Sequence, residues 1–117
     1  MDMTKPYILV SMTKDWRTSE NIAETVAELG KIELNENFDI GVFIHLLLMQ
    51  GMGFVETRGP KIEDPPETHG RPFEHRLTAK GLAAKARIFL QDPGIESALH
   101  QAYLRIEDRI INMAPSG

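Results

Sequence analysis

Arg58, Lys61, His69 and Arg71 crowd one stretch rich in proline and glycine. Cations held on a loop can grip phosphate oxygens or enter a minor groove. Glu63, Asp64 and Glu67 share the stretch and weaken its field. His69 and His75, with Asp64 and Glu67, have donor atoms suited to a metal. They lack the fixed two-residue or helical spacing of a metal site, so an ordinary polar hairpin is the better reading and no metal is expected. A second group, Asn37, His45 and Gln50, lies on or beside the apolar segment from Phe38 to Met49. Asn and Gln are readers of base edges, though weak candidates without help. The segment has no Lys or Arg, and Glu36 and Asp39 repel phosphate. His45, on an apolar helix, reads first as a packed residue. There is no nucleotide-binding glycine pattern, no nucleophile elbow, no His-Glu-x-x-His and no cysteine. Catalysis and a cofactor are therefore not expected.

The elements that position these groups follow from pattern. Thr18 or Ser19 caps a helix running to about Leu29, with Ile22, Ala23, Val26, Ala27 and Leu29 as its apolar stripe. Gly30 closes it. Residues 31–37 read as a short strand or an extended link, and Asn37 or Asp39 caps the helix from Phe38 to Met49. Gly51 and Gly53 end that helix. Phe54 to Arg58 and Phe73 to Leu77 read as an antiparallel hairpin around a Pro-rich tip. Phe73, His75 and Leu77 share one face, and Val55 and Thr57 share another. Thr78 caps a further helix, in which Gly81 is unfavourable. Asp92-Pro93 restarts the chain as a last helix to about Met113. Tyr7 to Met12 is a helix or a strand, since so short an apolar run fits either. Trp16 reads as a core or edge packing residue.

The last helix repeats Leu99, Tyr103, Ile106, Ile110 and Met113 at the spacing of an a/d seam, with Leu104 and Ile111 as a second apolar edge. Such a helix is expected to pack on its own domain and on a symmetry mate.

Composition sets the bounds. At 117 residues the chain is one domain, with residues 1–92 forming the body and residues 93–117 its C-terminal helix. With 42% apolar and 26% charged residues it is ordinary globular material, able to build a core without staples. The absence of cysteine fits a reducing compartment. No apolar run is long enough to span a bilayer and no signal peptide is visible, so a cytoplasmic location is expected. The net charge of −4 argues against indiscriminate nucleic-acid binding. Residues 58–87 nevertheless hold seven Lys and Arg against four Asp and Glu, so the hairpin and its following helix are the basic part of an acidic chain.

A helix followed by a hairpin with an oversized tip is the sequence outline of a winged helix. The stretch from Ser19 to Leu90 resembles winged-helix transcription regulators, most of all the PadR family and more distantly the MarR family. Ser19-Glu20-Asn21-Ile22-Ala23-Glu24 resembles the first helix of the helix-turn-helix. Phe43, Leu46 and Met49 stand where the family places Tyr and Leu. Gly70-Arg71-Pro72-Phe73-Glu74-His75-Arg76-Leu77-Thr78-Ala79-Lys80-Gly81 resembles its Gly-Arg-Pro, aromatic, Leu-Thr, Gly run. The resemblance implies an α+β fold: a mostly helical winged helix-turn-helix with a β-hairpin wing and a C-terminal dimerisation helix. It also implies a homodimeric DNA-binding transcriptional regulator on a two-fold symmetric duplex site. Arg58, Lys61, His69 and Arg71 would hold phosphate at the wing, with Asn37, His45 and Gln50 reading bases. The competing reading is a winged helix that binds protein. The helix without cations and the acidic balance favour it.

Overall fold

Short polar side chains set where the helices begin. In the computed structural model, which describes residues 4–61, 63–68 and 70–113, Thr18 Oγ1 accepts from the Asn21 N–H at 3.1 Å and starts helix α2, Ser19–Gly30. Asn35 Oδ1 does the same for the Phe38 N–H at 2.9 Å and starts α3, Glu36–Gly51. The cap is therefore Asn35, ahead of the Asn37 or Asp39 expected from sequence. Thr78 Oγ1 accepts from the Gly81 N–H at 3.1 Å and starts α4, Ala79–Gln91. Each cap satisfies a donor that the first helical turn leaves open. At its other end α2 closes on Lys31, which takes the left-handed conformation (φ 54°) just after Gly30. Residues 32–35 form neither helix nor strand.

The remaining elements are α1, Thr4–Ser11; β1, Arg17–Thr18; β2, Val55–Arg58; β3, Glu74–Leu77; and α5, Pro93–Met113. A single 3-10 turn, Pro66–Thr68, lies in the hairpin tip. Tyr7 to Ser11 thus belongs to a helix. The architecture is α+β and mostly helical, with one small antiparallel sheet in the order β1-β3-β2. This arrangement is compatible with a winged helix. Among the described residues no helix is long and apolar enough to cross a membrane.

The hairpin register pairs Val55 with Leu77, Glu56 with Arg76, Thr57 with His75 and Arg58 with Glu74. Period-two alternation sends Val55, Thr57, His75 and Leu77 inward and the four charged residues outward. Outside, Arg58 meets Glu74 at 2.9 Å and Arg76 meets Glu56 at 2.8 Å. Trp16, just before β1, stacks against both guanidinium groups, its ring centre 4.3 Å from Arg58 and 4.4 Å from Arg76. The sequence expectation of an edge-packing tryptophan is met by cation–π stacking.

Two apolar clusters hold the molecule. The larger joins Ile8 of α1 and Met12 just after it, Ile22 and Val26 of α2, Val42, Leu46 and Met49 of α3, and Val55 and Leu77 of the sheet. The smaller joins Val10 of α1 to Ile95 and Leu99 of α5, with Tyr7, Leu29, Ile88, Phe89 and Tyr103 around them. Glycine matters at two joints. Gly53 takes φ +86° in the turn from α3 into β2. Gly81 lies against the Phe54 carbonyl, which a Cβ there would meet at 2.2 Å. The glycine that weakens α4 by propensity is what lets it seat on the hairpin. Gly81→Ala is expected to destabilise the protein by about 2 kcal/mol, because backbone on both sides must shift. Urea unfolding measures this, and an unchanged midpoint would show that the joint is loose.

The expected seam on α5 divides. Leu99 is buried in the protein's own core and Tyr103 is half-buried, its hydroxyl donating to the Ser11 carbonyl at 3.4 Å. Ile106 is half-buried, whereas Ile110 is 63% exposed. The Met113 side chain lies outside the described residues. Arg105 and Arg109 tie this helix to Glu28 of α2 at 2.9 and 2.6 Å. The first half of the seam therefore packs within the chain.

Candidate functional site

Helix α3 is apolar around most of its circumference, so sequence alone does not tell its inner from its outer face. The fold turns Val42, Leu46 and Met49 inward. It leaves Ile40, Ile44, Leu47 and Leu48 on the surface, each 43–54% exposed. Their spacing places them on one side of the helix. From Ile40 to Gly51 the helix carries no Asp, Glu, Lys or Arg. Contiguous exposed apolar surface of this kind marks an interaction site far more often than a solvated face.

The polar residues assigned to α3 do not form a reading surface. Asn37 and Gln50 are exposed but stand at opposite ends, about 20 Å apart at the helical rise per residue. His45 is half-buried, and its Nδ1 lies 2.8 Å from the Gly41 carbonyl, so its donor is spent on its own helix.

Most cations of the basic stretch are also committed. Arg58 and Arg76 are paired with carboxylates and stacked on Trp16. Lys80 donates to the Met52 carbonyl at 2.8 Å and lies over the Phe54 ring. Lys85 donates to the Met12 carbonyl at 2.6 Å, and burial, aided by the Arg17 guanidinium, pushes its ammonium below the usual lysine range. Lys61 and Arg71 stay exposed. Arg71 borders a cavity of about 670 Å³ at the base of the hairpin tip, with Arg58, Asp64 and Glu74 on its other walls. Asp64 accepts from the Lys61 backbone N–H at 2.7 Å. His69 lies outside the described residues. Hence ion pairs and carbonyl contacts offset much of the basic excess of residues 58–87, although Lys61, Arg71 and Arg87 are exposed.

Behind α3 and the sheet is a polar node that sequence reading missed. His75 is fully buried. Its Nε2 lies 2.7 Å from Ser19 Oγ and its Nδ1 lies 2.8 Å from Thr57 Oγ1. Phe43 meets the imidazole edge-on, with centroids 5.9 Å apart. One ring nitrogen donates and the other accepts, so both hydroxyls and the neutral ring are satisfied. Burial lowers the imidazole pKa to about 4, against a smaller upward pull from Glu74. A serine beside a histidine invites comparison with a nucleophile and its base. Here the third group is a hydroxyl rather than a carboxylate, and an imidazole held this far below neutrality is a weak base. What the arrangement does well is lock the start of α2 to both hairpin strands. Because the hydroxyls occupy both ring nitrogens, neither is open to a metal.

Arg17 forms a second node. Its guanidinium donates to the Ser11 carbonyl, to Asn21 Oδ1 and to the Tyr103 hydroxyl at 3.1 Å, joining α1, α2 and α5. Ser11 and Asn21 are near Arg17 in sequence, but Tyr103 is 86 residues away, and no local pattern announces that contact.

Between α2, α3 and the hairpin lies a second cavity, of about 340 Å³, lined by Ser19, Glu20, Asp39, Ile40, Phe43, Pro72 and Phe73. It opens beside the exposed stripe of α3, and Ile40 belongs to both. No family model, curated protein or solved structure matches the chain.

Proposed function

We propose that this chain is a winged-helix module that docks another polypeptide on the outward face of α3. The winged-helix reading is supported by the order α1-β1-α2-α3-β2-β3 and by a sheet in which β3 is central. The observation that carries the docking reading is the uncharged stripe of Ile40, Ile44, Leu47 and Leu48 where a DNA-reading winged helix presents polar side chains. Such a face gains by leaving water and offers nothing to phosphates. A homodimer would form away from it, through the exposed Leu104, Ile110 and Ile111 of α5.

The second reading, a dimeric transcription regulator on duplex DNA, keeps one favourable observation. Lys61 and Arg71 are exposed at the wing. Cross-linking separates the two. A photoreactive amino acid at Leu48 is expected to capture protein in the producing cell. The yield should persist in high salt, and the same group at Lys61 should capture little. Nucleic acid cross-linked from Lys61, with release on modest addition of salt, would overturn the docking reading in favour of DNA.

A further inference from the structure

We infer that the polypeptide docked on the α3 stripe is a second copy of this chain, its own α3 running antiparallel with Ile44 of each copy at the two-fold axis. This rests on the docking reading and names the partner. An isologous contact needs one surface that complements itself. Ile40, Ile44 and Leu48 recur at every fourth residue of α3, and Leu47 flanks them, all exposed. The set is symmetric about Ile44, with Ile40 one turn before it and Leu48 one turn after. Antiparallel pairing on that centre sets Ile40 of each copy against Leu47 and Leu48 of the other. Two glycines leave space on the same helix. A Cβ on Gly41 or Gly51 would meet nothing within 4 Å. Leu48 of the second copy falls beside Gly41, where no side chain stands in its way.

Charge selects the orientation. The stripe itself carries no ion, so two copies meet on it without repulsion. Glu36 and Asp39 lie in the first turn of α3. At its other end the exposed Lys80 donates to the Met52 carbonyl. A parallel pair would bring the acids of the two copies together. The antiparallel pair brings Glu36 of one copy to the level of Met52 and Lys80 of the other, and it opposes the two helix dipoles.

Surface area agrees. A compact monomer of 13.2 kDa exposes about 6,400 Å². This chain exposes 7736 Å². A standard interface takes about 800 Å² from each partner, which the surplus can supply. The contact is distinct from the exposed apolar surface of α5. A chain that used both two-fold contacts would form a tetramer or an open array.

The chain has no cysteine, so single thiols report on the contact without background. The test uses three variants of the purified full chain: Ile40→Cys, Ile44→Cys and Leu48→Cys. The three positions are 51–54% exposed, so random collision would link them alike. Mild oxidation is expected to double the mass of Ile44→Cys on a non-reducing gel. Ile40→Cys or Leu48→Cys alone should keep its mass, because each thiol lies about 12 Å along the helix from its own mate, beyond the reach of a disulfide. Mixed together, those two variants should link to each other. Equal linking of all three variants would overturn the inference, since collision or a parallel pair gives that result. No link from Ile44→Cys would overturn it too. The docking reading is judged separately, by whether the photoreactive group at Leu48 captures protein at all. Capture of a different polypeptide there would discard the second copy and keep the docking.

Discussion

Between about pH 6.5 and about pH 4 the protein is expected to lose up to about 3 kcal/mol of stability through His75 alone. The folded imidazole is buried between Ser19 and Thr57, and its pKa is lowered to about 4. In the unfolded chain the same ring takes a proton near 6.5. Between these values the unfolded state binds more protons. Stability is therefore fully present above the unfolded pKa and drains away as pH falls toward the folded one. His75→Gln should be less stable at neutral pH and show a flatter profile across the same range, since an amide does not titrate. The exposed pairs Arg58–Glu74 and Arg76–Glu56 are common to both proteins and contribute little. Urea unfolding at a series of pH values provides the comparison. Parallel profiles for parent and variant would mean that His75 is not held neutral by burial.

Replacing Ile44 and Leu48 together by Glu is expected to weaken capture of the partner about a hundredfold, the order expected when two apolar contacts become buried charges. Both side chains are about half exposed and lie outside the apolar clusters, so the unfolding midpoint should hardly move. Lys61→Ala with Arg71→Ala is the matching control. It removes two exposed cations and should leave capture unchanged. The opposite pattern, with the apolar pair silent and the cationic pair decisive, would identify the hairpin tip as the binding element. Affinity that falls steeply with salt would accompany it.

The hairpin was legible because alternation is a local signal. Alternation sets Val55 with Thr57 and His75 with Leu77 within each strand, while the register of the fold turns all four to the same face, and the tip is too rich in proline to be regular. The Thr78 cap was legible for the same reason. Boundaries were softer: Asn35 starts α3 two residues before Asn37, and Lys31 rather than Gly30 takes the left-handed turn. Three matters needed the fold. An all-round apolar helix such as α3 does not announce which side faces water. A seam such as Leu99 to Ile110 does not name its partner, and α5 meets its own domain first. Ser19 and His75 are 56 residues apart, and no spacing rule joins them. The basic stretch was real as a count, but salt bridges and carbonyl contacts take up much of its charge.

Trp16 is the only tryptophan of the chain, and its ring contacts Arg58 of one hairpin strand and Arg76 of the other. The intrinsic emission of the protein therefore has one dominant source, placed where the hairpin joins the body. Lifting the hairpin would withdraw both guanidinium groups, wet the indole and take Val55 and Leu77 out of the larger cluster, while the helices themselves stayed formed. Emission and far-UV dichroism recorded together thus give two clocks on one molecule, one timing the hairpin and the other the helices. A partner that shifts the first without the second would be read without any label.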